Sequence, residues 1–149
     1  LNDNSLALLM KVKELMVKDV LTCARDDPVF NVAKKMIDQD IGMLVVVEDH
    51  LSKKPVGVIS DHDIMSKVLL KKLEPSKTTA GQIATKGIIA ILPDATIEKA
   101  VDMMKKNDVK RLVVMDDLGY LVGILSRSDI IKQFLEIRKQ LVDLSGFEL

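Results

Sequence analysis

The stretch VGVISDHDI, Val56 to Ile64, returns almost unchanged as VGILSRSDI, Val122 to Ile130. Each copy runs from an apolar strand pattern through Ser-x-x-Asp into an apolar helix pattern, so each marks a strand-to-helix junction. Ser60 and Ser126 stand where an N-cap belongs, and Asp63 and Asp129 follow as in a capping box with Asp in place of Glu. In that role the serine oxygen accepts an orphan amide hydrogen and the carboxylate complements the positive end of the helix. The same terminus has a second use. Free amide hydrogens and the helix dipole suit phosphate, the hydroxyl adds a donor, and a carboxylate one turn in accepts both hydrogens of a ribose diol. Gly57 and Gly123, just upstream, take a side chain off each strand and so admit a ligand or a neighbouring backbone.

Working outward, the whole chain is one unit written twice. At an offset of sixty-eight, VKELMVKDVLTCARDDPVFNVAKKMIDQDIGMLVVVEDH lies over AGQIATKGIIAILPDATIEKAVDMMKKNDVKRLVVMDDL without a gap, so that Asp26 meets Asp94 and Asp40 meets Asp108. Repeat 1 then has two more residues in its turn, and the offset becomes sixty-six through both Ser-x-x-Asp motifs. Each repeat reads in the same order. A β-branched strand (DVLTC, GIIAI) precedes an Asp-rich break and a helix with apolar residues at Val29, Val32, Ala33, Met36 and Ile37, or at Ile97, Ala100, Val101 and Met104. Next come a continuous apolar strand (MLVVV, RLVVM), an acidic turn suited to a hairpin, and a second strand (PVGVIS, LVGILS). A closing helix is expected from Asp61 to about Leu73 and from Arg127 to about Leu144. The pattern divides the chain into repeat 1 (residues 11–73), a linker (74–80) and repeat 2 (81–144), an α/β (α+β) architecture. A repeat of roughly sixty residues buries too little surface alone. The two are therefore expected to pack sheet to sheet with pseudo-twofold symmetry, leaving clefts of the kind that bind small molecules.

Composition narrows the function classes. Twenty-two basic residues balance twenty-two acidic ones among 149, so no global field favours nucleic acid or an anionic membrane, and an anion site must be local. One cysteine, Cys23, precludes an internal disulfide and suits a buried strand thiol. No apolar run approaches the about 18 residues of a membrane helix, and no signal-peptide pattern opens the chain. A cytoplasmic location is expected. The chain starts with Leu rather than Met, which leaves open a longer parent protein.

The duplicated layout and the V-G-h-h-S-x-x-D-I signature resemble a tandem pair of cystathionine β-synthase (CBS) domains, regulatory modules found in proteins such as the γ subunit of AMP-activated protein kinase. The resemblance covers roughly Lys11 to Phe134. It implies duplicated β-α-β-β-α repeats, two ligand clefts and pairing of modules into a homodimer. By position it makes Asp63 and Asp129 ribose-binding, with Ser60 and Ser126 facing phosphate. It gives the Asp129 cleft an adenine wall from Leu21, Thr22, Ile41 and Gly42, and the Asp63 cleft one from Ile88, Ile89 and Val109. The kinase subunit has a His-Arg pair before its repeat's apolar strand; Lys110 and Arg111 stand there in repeat 2, and both are suited to phosphate. Repeat 1 departs from the pattern with Gly42 and Met43, so the clefts are expected to bind unequally. Arg127 and His62, inside the motifs, are further phosphate candidates, with the cationic guanidinium of Arg127 placed ahead.

The implied function is a non-catalytic regulatory module that binds an adenine nucleotide (AMP, ADP or ATP), with magnesium as a companion, or S-adenosylmethionine. It would signal to an unidentified regulated protein. A scaffold reading, a degenerate pair kept for dimerisation with Ser-x-x-Asp as a helix cap only, competes with it. Other readings are weaker. Ser60, Asp61, His62 and Asp63 do not converge as a hydrolytic or metal cluster, because helix residues one and two apart point different ways. The eight methionines fit core packing. The lysine pairs fit solvated faces better than nucleic-acid contacts.

Overall fold

The computed structural model of the protein describes residues 3–146. Six strands form two three-stranded sheets, ordered β1-β2-β3 and β4-β5-β6. The first contains β1 (Thr22–Ala24), β2 (Met43–Val47) and β3 (Pro55–Ser60). The second contains β4 (Ala90–Ile91), β5 (Arg111–Met115) and β6 (Leu121–Ser126). β1 runs parallel to β2, β2 antiparallel to β3, and β4 parallel to β5. Seven helices accompany them: α1 (Asp3–Leu8), α2 (Val12–Leu15), α3 (Val29–Gln39), α4 (Asp61–Ile64), α5 (Ala80–Ile83), α6 (Ile97–Asn107) and α7 (Arg127–Ser145). The helix begun by α4 widens into a π-helical turn over Met65–Leu69. The expected elements are all present, three of them shorter. α4 and its π turn stop at Leu69 instead of Leu73, and the chain then bends through Lys72 in the left-handed region (φ +57°).

The first strand of each repeat is shortened for a different reason. The chain divides into two compact units that cut across the repeats: residues 19–88 with 117–121 form one, and residues 1–18, 89–116 and 122–149 the other. Up to Lys18 the chain is committed to repeat 2's sheet, where Val17 and Ile124 exchange backbone hydrogen bonds of 2.8 and 3.0 Å. Only from Asp19 can it join the sheet of repeat 1. The same crossing occurs one repeat later, where Thr85 and Val58 exchange bonds of 2.8 and 3.0 Å before the chain reaches β4.

Each core therefore contains the leading segment of the other repeat. In the first unit, Ala80 and Ile83 of α5 join Cys23, Val29, Val32, Met36, Leu44, Val46, Ile59 and Val68. In the second, Val12 of α2 joins Ile91, Ile97, Ala100, Met104, Leu112, Val114, Leu125 and Ile130. Val12 and Ala80, equivalent under the sixty-eight-residue offset, are both 0% exposed. Burying a valine contributes on the order of 1.5–3 kcal/mol, so the exchanged segment is part of the core rather than an appendage. The continuous apolar run of β2 is explained alike, since Leu44 to Val47 are all buried. Cys23 is buried in β1, and burial, helped by the Asp27 carboxylate, pushes its thiol up to about 12, which keeps it protonated and unreactive at neutral pH.

The two strand glycines serve this exchange. A Cβ on Gly57 would lie 2.8 Å from the Thr85 carbonyl oxygen, and one on Gly123 would lie 2.6 Å from Met16 Sδ and 3.0 Å from the Val17 carbonyl oxygen. Of the two visitors that the sequence allowed, the neighbouring backbone is the one that occupies the space. Gly57→Ala is expected to cost about 1–3 kcal/mol, because the obstructing atom is main chain, and Gly123→Ala less, because the Met16 side chain can swing aside. Urea unfolding midpoints of the two variants check the ranking.

Candidate functional site

Both Ser-x-x-Asp motifs form complete capping boxes. Ser60 Oγ accepts the Asp63 amide hydrogen at 3.1 Å and donates to Asp63 Oδ2 at 2.9 Å, which also accepts from the Ser60 amide at 2.9 Å. Ser126 repeats this with Asp129, with an amide contact of 3.1 Å from Asp129, a hydroxyl contact of 2.5 Å and a Ser126 amide contact of 3.0 Å to Oδ2. Each box is worth about 0.5–2 kcal/mol of helix stability. Only one oxygen of each carboxylate takes part, and Oδ1 is left for something else.

The loop before the middle strand closes on the motif of its own repeat. The Asp61 amide donates to the Gly42 carbonyl at 3.0 Å, and the Arg127 amide to the Lys110 carbonyl at 2.8 Å. The first strands reach the same edge, with Val45 donating to Leu21 at 3.4 Å and Val113 to Ile89 at 3.1 Å. Repeat 1 thus gathers Leu21, Thr22, Ile41, Gly42, Ser60, His62 and Asp63 at one end of its sheet, with Ile88 in the same unit. Repeat 2 gathers Ile89, Val109, Lys110, Arg111, Ser126, Arg127 and Asp129. Within repeat 2, the bond from Arg127 to Lys110 sets the basic pair next to the Ser126–Asp129 motif along the chain's own sheet edge. Leu21, Ile41, Ile89 and Val109 are half-buried and pack against their cores, presenting apolar surface next to the polar motif.

The two constellations carry opposite charge. Lys110, Arg111 and Arg127 are exposed, and among the described residues none has an ion-pair partner. The corresponding places in repeat 1 hold Gly42, Met43 and Asp61. A Cβ on Gly42 would come within 3.1 Å of Asp61 Oδ2, so a longer side chain there would press on that carboxylate. Asp61 Oδ1 also takes the His62 amide at 2.7 Å, one of the amides a phosphate would use.

Two residues that the sequence reading passed over complete the first site. Lys67 Nζ pairs with Asp63 Oδ1 at 2.9 Å, donates to the Ile83 carbonyl at 2.9 Å and lies 3.3 Å from Thr85 Oγ1. The Thr85 hydroxyl in turn donates to Asp63 Oδ1 at 3.4 Å. The four-residue spacing of Asp63 and Lys67 was a readable signal for the first contact; nothing local announces Thr85. Asp63 is only 8% exposed. Burial alone would raise its carboxyl pKa, but the hydrogen bonds from Lys67 and Ser60, with the Lys67 charge, outweigh it and hold the group below the usual carboxylate range. Among the described residues no group of three or more His, Cys, Asp or Glu stands close enough to hold a metal ion, and no helix is long and apolar enough to cross a membrane.

With this geometry in place, comparison with known proteins is direct. The family model of the CBS domain matches residues 12–70 and again 80–136. The chain belongs to the CBS domain family. This CBS pair is 33% identical over 135 residues to an uncharacterised protein of Methanocaldococcus jannaschii, covering 91% of the chain and 72% of that protein. It spans less than two thirds of other relatives, down to 23% of an inosine-5'-monophosphate dehydrogenase of the same organism, to which it is 32% identical over 83% of its own length. Among solved structures, a CBS domain protein of Pyrobaculum aerophilum in complex with AMP superposes with a TM-score of 0.71 at 25% identity, over 80% of this chain and 89% of that one.

Replacing Lys67 by Met removes the main partner of Asp63 Oδ1, so the Asp63 carboxyl pKa is expected to rise, which a carboxyl-carbon NMR titration reads directly. Because the folded-state value is depressed, the stability Asp63 contributes is present above its unfolded pKa of about 3.9 and is lost as pH falls through the folded value. Lys67→Met should therefore lose less stability than the parent chain between neutral pH and acid.

Proposed function

We propose that this CBS pair is a non-catalytic regulatory module that binds an adenine nucleotide at the Ser126–Asp129 motif and passes its bound state to a partner protein. The observation that carries the reading is the main-chain bond from Arg127 to Lys110, which places the exposed Lys110, Arg111 and Arg127 in segments adjoining a capped helix terminus whose aspartate keeps Oδ1 open. Three cations suit a phosphate group, with arginine able to grip it through two parallel hydrogen bonds. Asp129 Oδ1 suits a ribose hydroxyl, and the half-buried Ile89 and Val109 offer an apolar surface to a purine. The P. aerophilum relative with AMP supports the ligand class. The cations favour AMP, ADP or ATP over S-adenosylmethionine, whose sulfonium adds positive charge where positive charge is already concentrated. A ligand shifts the partner only as far as it prefers one module geometry over another.

The scaffold reading rests on the completeness of the capping boxes, which account for Ser60, Asp63, Ser126 and Asp129 with no ligand. Calorimetric titration with AMP, ATP and S-adenosylmethionine separates the two. Saturable binding of AMP or ATP is expected, and Asp129→Ala should weaken it at least about tenfold, which is about 1.4 kcal/mol. The same variant's ligand-free melting temperature measures the lost cap separately. Absence of binding at millimolar nucleotide would defeat the sensor reading in favour of the scaffold.

A further inference from the structure

Asp63 and Asp129 hold equivalent places and use Oδ2 identically, yet their Oδ1 atoms meet different surroundings. Oδ1 of Asp63 is engaged by Lys67 at 2.9 Å and by the Thr85 hydroxyl at 3.4 Å. Lys67 is itself fixed, since its ammonium also reaches the Ile83 carbonyl and Thr85 Oγ1, giving three donors three acceptors. In repeat 2 both partners are missing from the sequence: Gln133 stands at the place of Lys67 and Val17 at the place of Thr85. Among the described residues, Oδ1 of Asp129 has no partner.

We propose that Lys67 is a built-in occupant of the first repeat's sugar-binding position, which closes that site to nucleotide and leaves the Asp129 site as the one that binds. The inference rests on the nucleotide-binding reading above and names the residue that makes the two sites unequal. A ribose hydroxyl donating to Asp63 Oδ1 would have to displace a hydrogen bond in which both partners are charged, and would bring only a neutral donor in its place. It would also have to leave an ammonium without its carboxylate. The phosphate end meets a second obstacle, because the Asp61 carboxylate holds the His62 amide at 2.7 Å and repels an anion. The equivalent amide in repeat 2, that of Ser128, follows Arg127 instead of an aspartate.

Exchanging the two residues tests this. AMP is titrated calorimetrically into the parent chain, Lys67→Gln and Gln133→Lys, with ligand-free melting as the control for folding. The parent is expected to bind one AMP per chain. Lys67→Gln should raise this to two, the new site being weaker for want of the basic cluster. Gln133→Lys, which restores the four-residue spacing to Asp129 on the regular helix α7, should weaken the original site at least about tenfold; it also supplies the answer should Lys67→Gln fail to fold. Two equal sites in the parent, one site retained in Lys67→Gln, or unchanged affinity in Gln133→Lys would each overturn the role of Lys67. No binding of AMP, ATP or S-adenosylmethionine to the parent would instead overturn the nucleotide-binding reading, and the inference with it.

Discussion

Neither sheet is finished by its own repeat. The backbone of Thr85 pairs with Val58 of β3, and that of Val17 with Ile124 of β6, each through two hydrogen bonds of 2.8–3.0 Å. Behind these bridges, Ala80 and Val12 are fully buried in their host cores. The exchanged segment lies against the strand that ends in Ser-x-x-Asp, so the position of each motif depends on a stretch of chain from the opposite repeat. Gly57 and Gly123 make the contact possible, because a side chain there would run into the incoming segment, its backbone at Thr85 and chiefly the Met16 side chain at Gly123. The glycine that could have admitted a ligand is a joint in the scaffold that holds the Ser-x-x-Asp motif.

At the motif itself, starting a helix and holding a ligand are compatible because they use different atoms. The cap consumes the serine hydroxyl and Oδ2, and Oδ1 remains. What separates the two copies is the company of that second oxygen and the charge around the terminus. In repeat 1 an ammonium ion is already on it and Asp61 stands beside it. In repeat 2 there is no such ion, and three exposed cationic residues stand in the segments adjoining an otherwise identical cap. Duplication supplied two equal frames, and a handful of differences at the signature's variable positions and around it made them electrostatically opposite.

The sequence made the repeats, the order of elements and the boundaries of β2, β3, β5 and β6 legible, since strand periodicity and the Ser-x-x-Asp junctions are local signals. The exchange of leading segments was not legible. Val12 and Ala80 carry the same apolar signal whichever core receives them, and hydrophobic pattern says that a face is buried without saying against what. The shortened β1 and β4 follow from the same blindness. For the site, the motif residues and the basic pair were visible one by one. The main-chain bond that sets Lys110 beside Arg127 joins two loops that no local pattern links. Thr85 could not be found at all, because it meets Asp63 across twenty-two positions of chain.

The crossed connections also bear on how the chain acquires its structure during synthesis. Residues 19–88, which make up most of one unit, are contiguous, so that core has nearly all its parts once the ribosome has released residue 88. The other unit draws on both ends: Val12 waits for the carbonyl of Ala95, and Val17 for Ile124. Its closure requires contacts between segments about a hundred residues apart, which loop-closure entropy makes slow. The half of the module proposed to bind nucleotide is therefore the half expected to form last, and until it does the amphipathic leading helices lack the core they belong to.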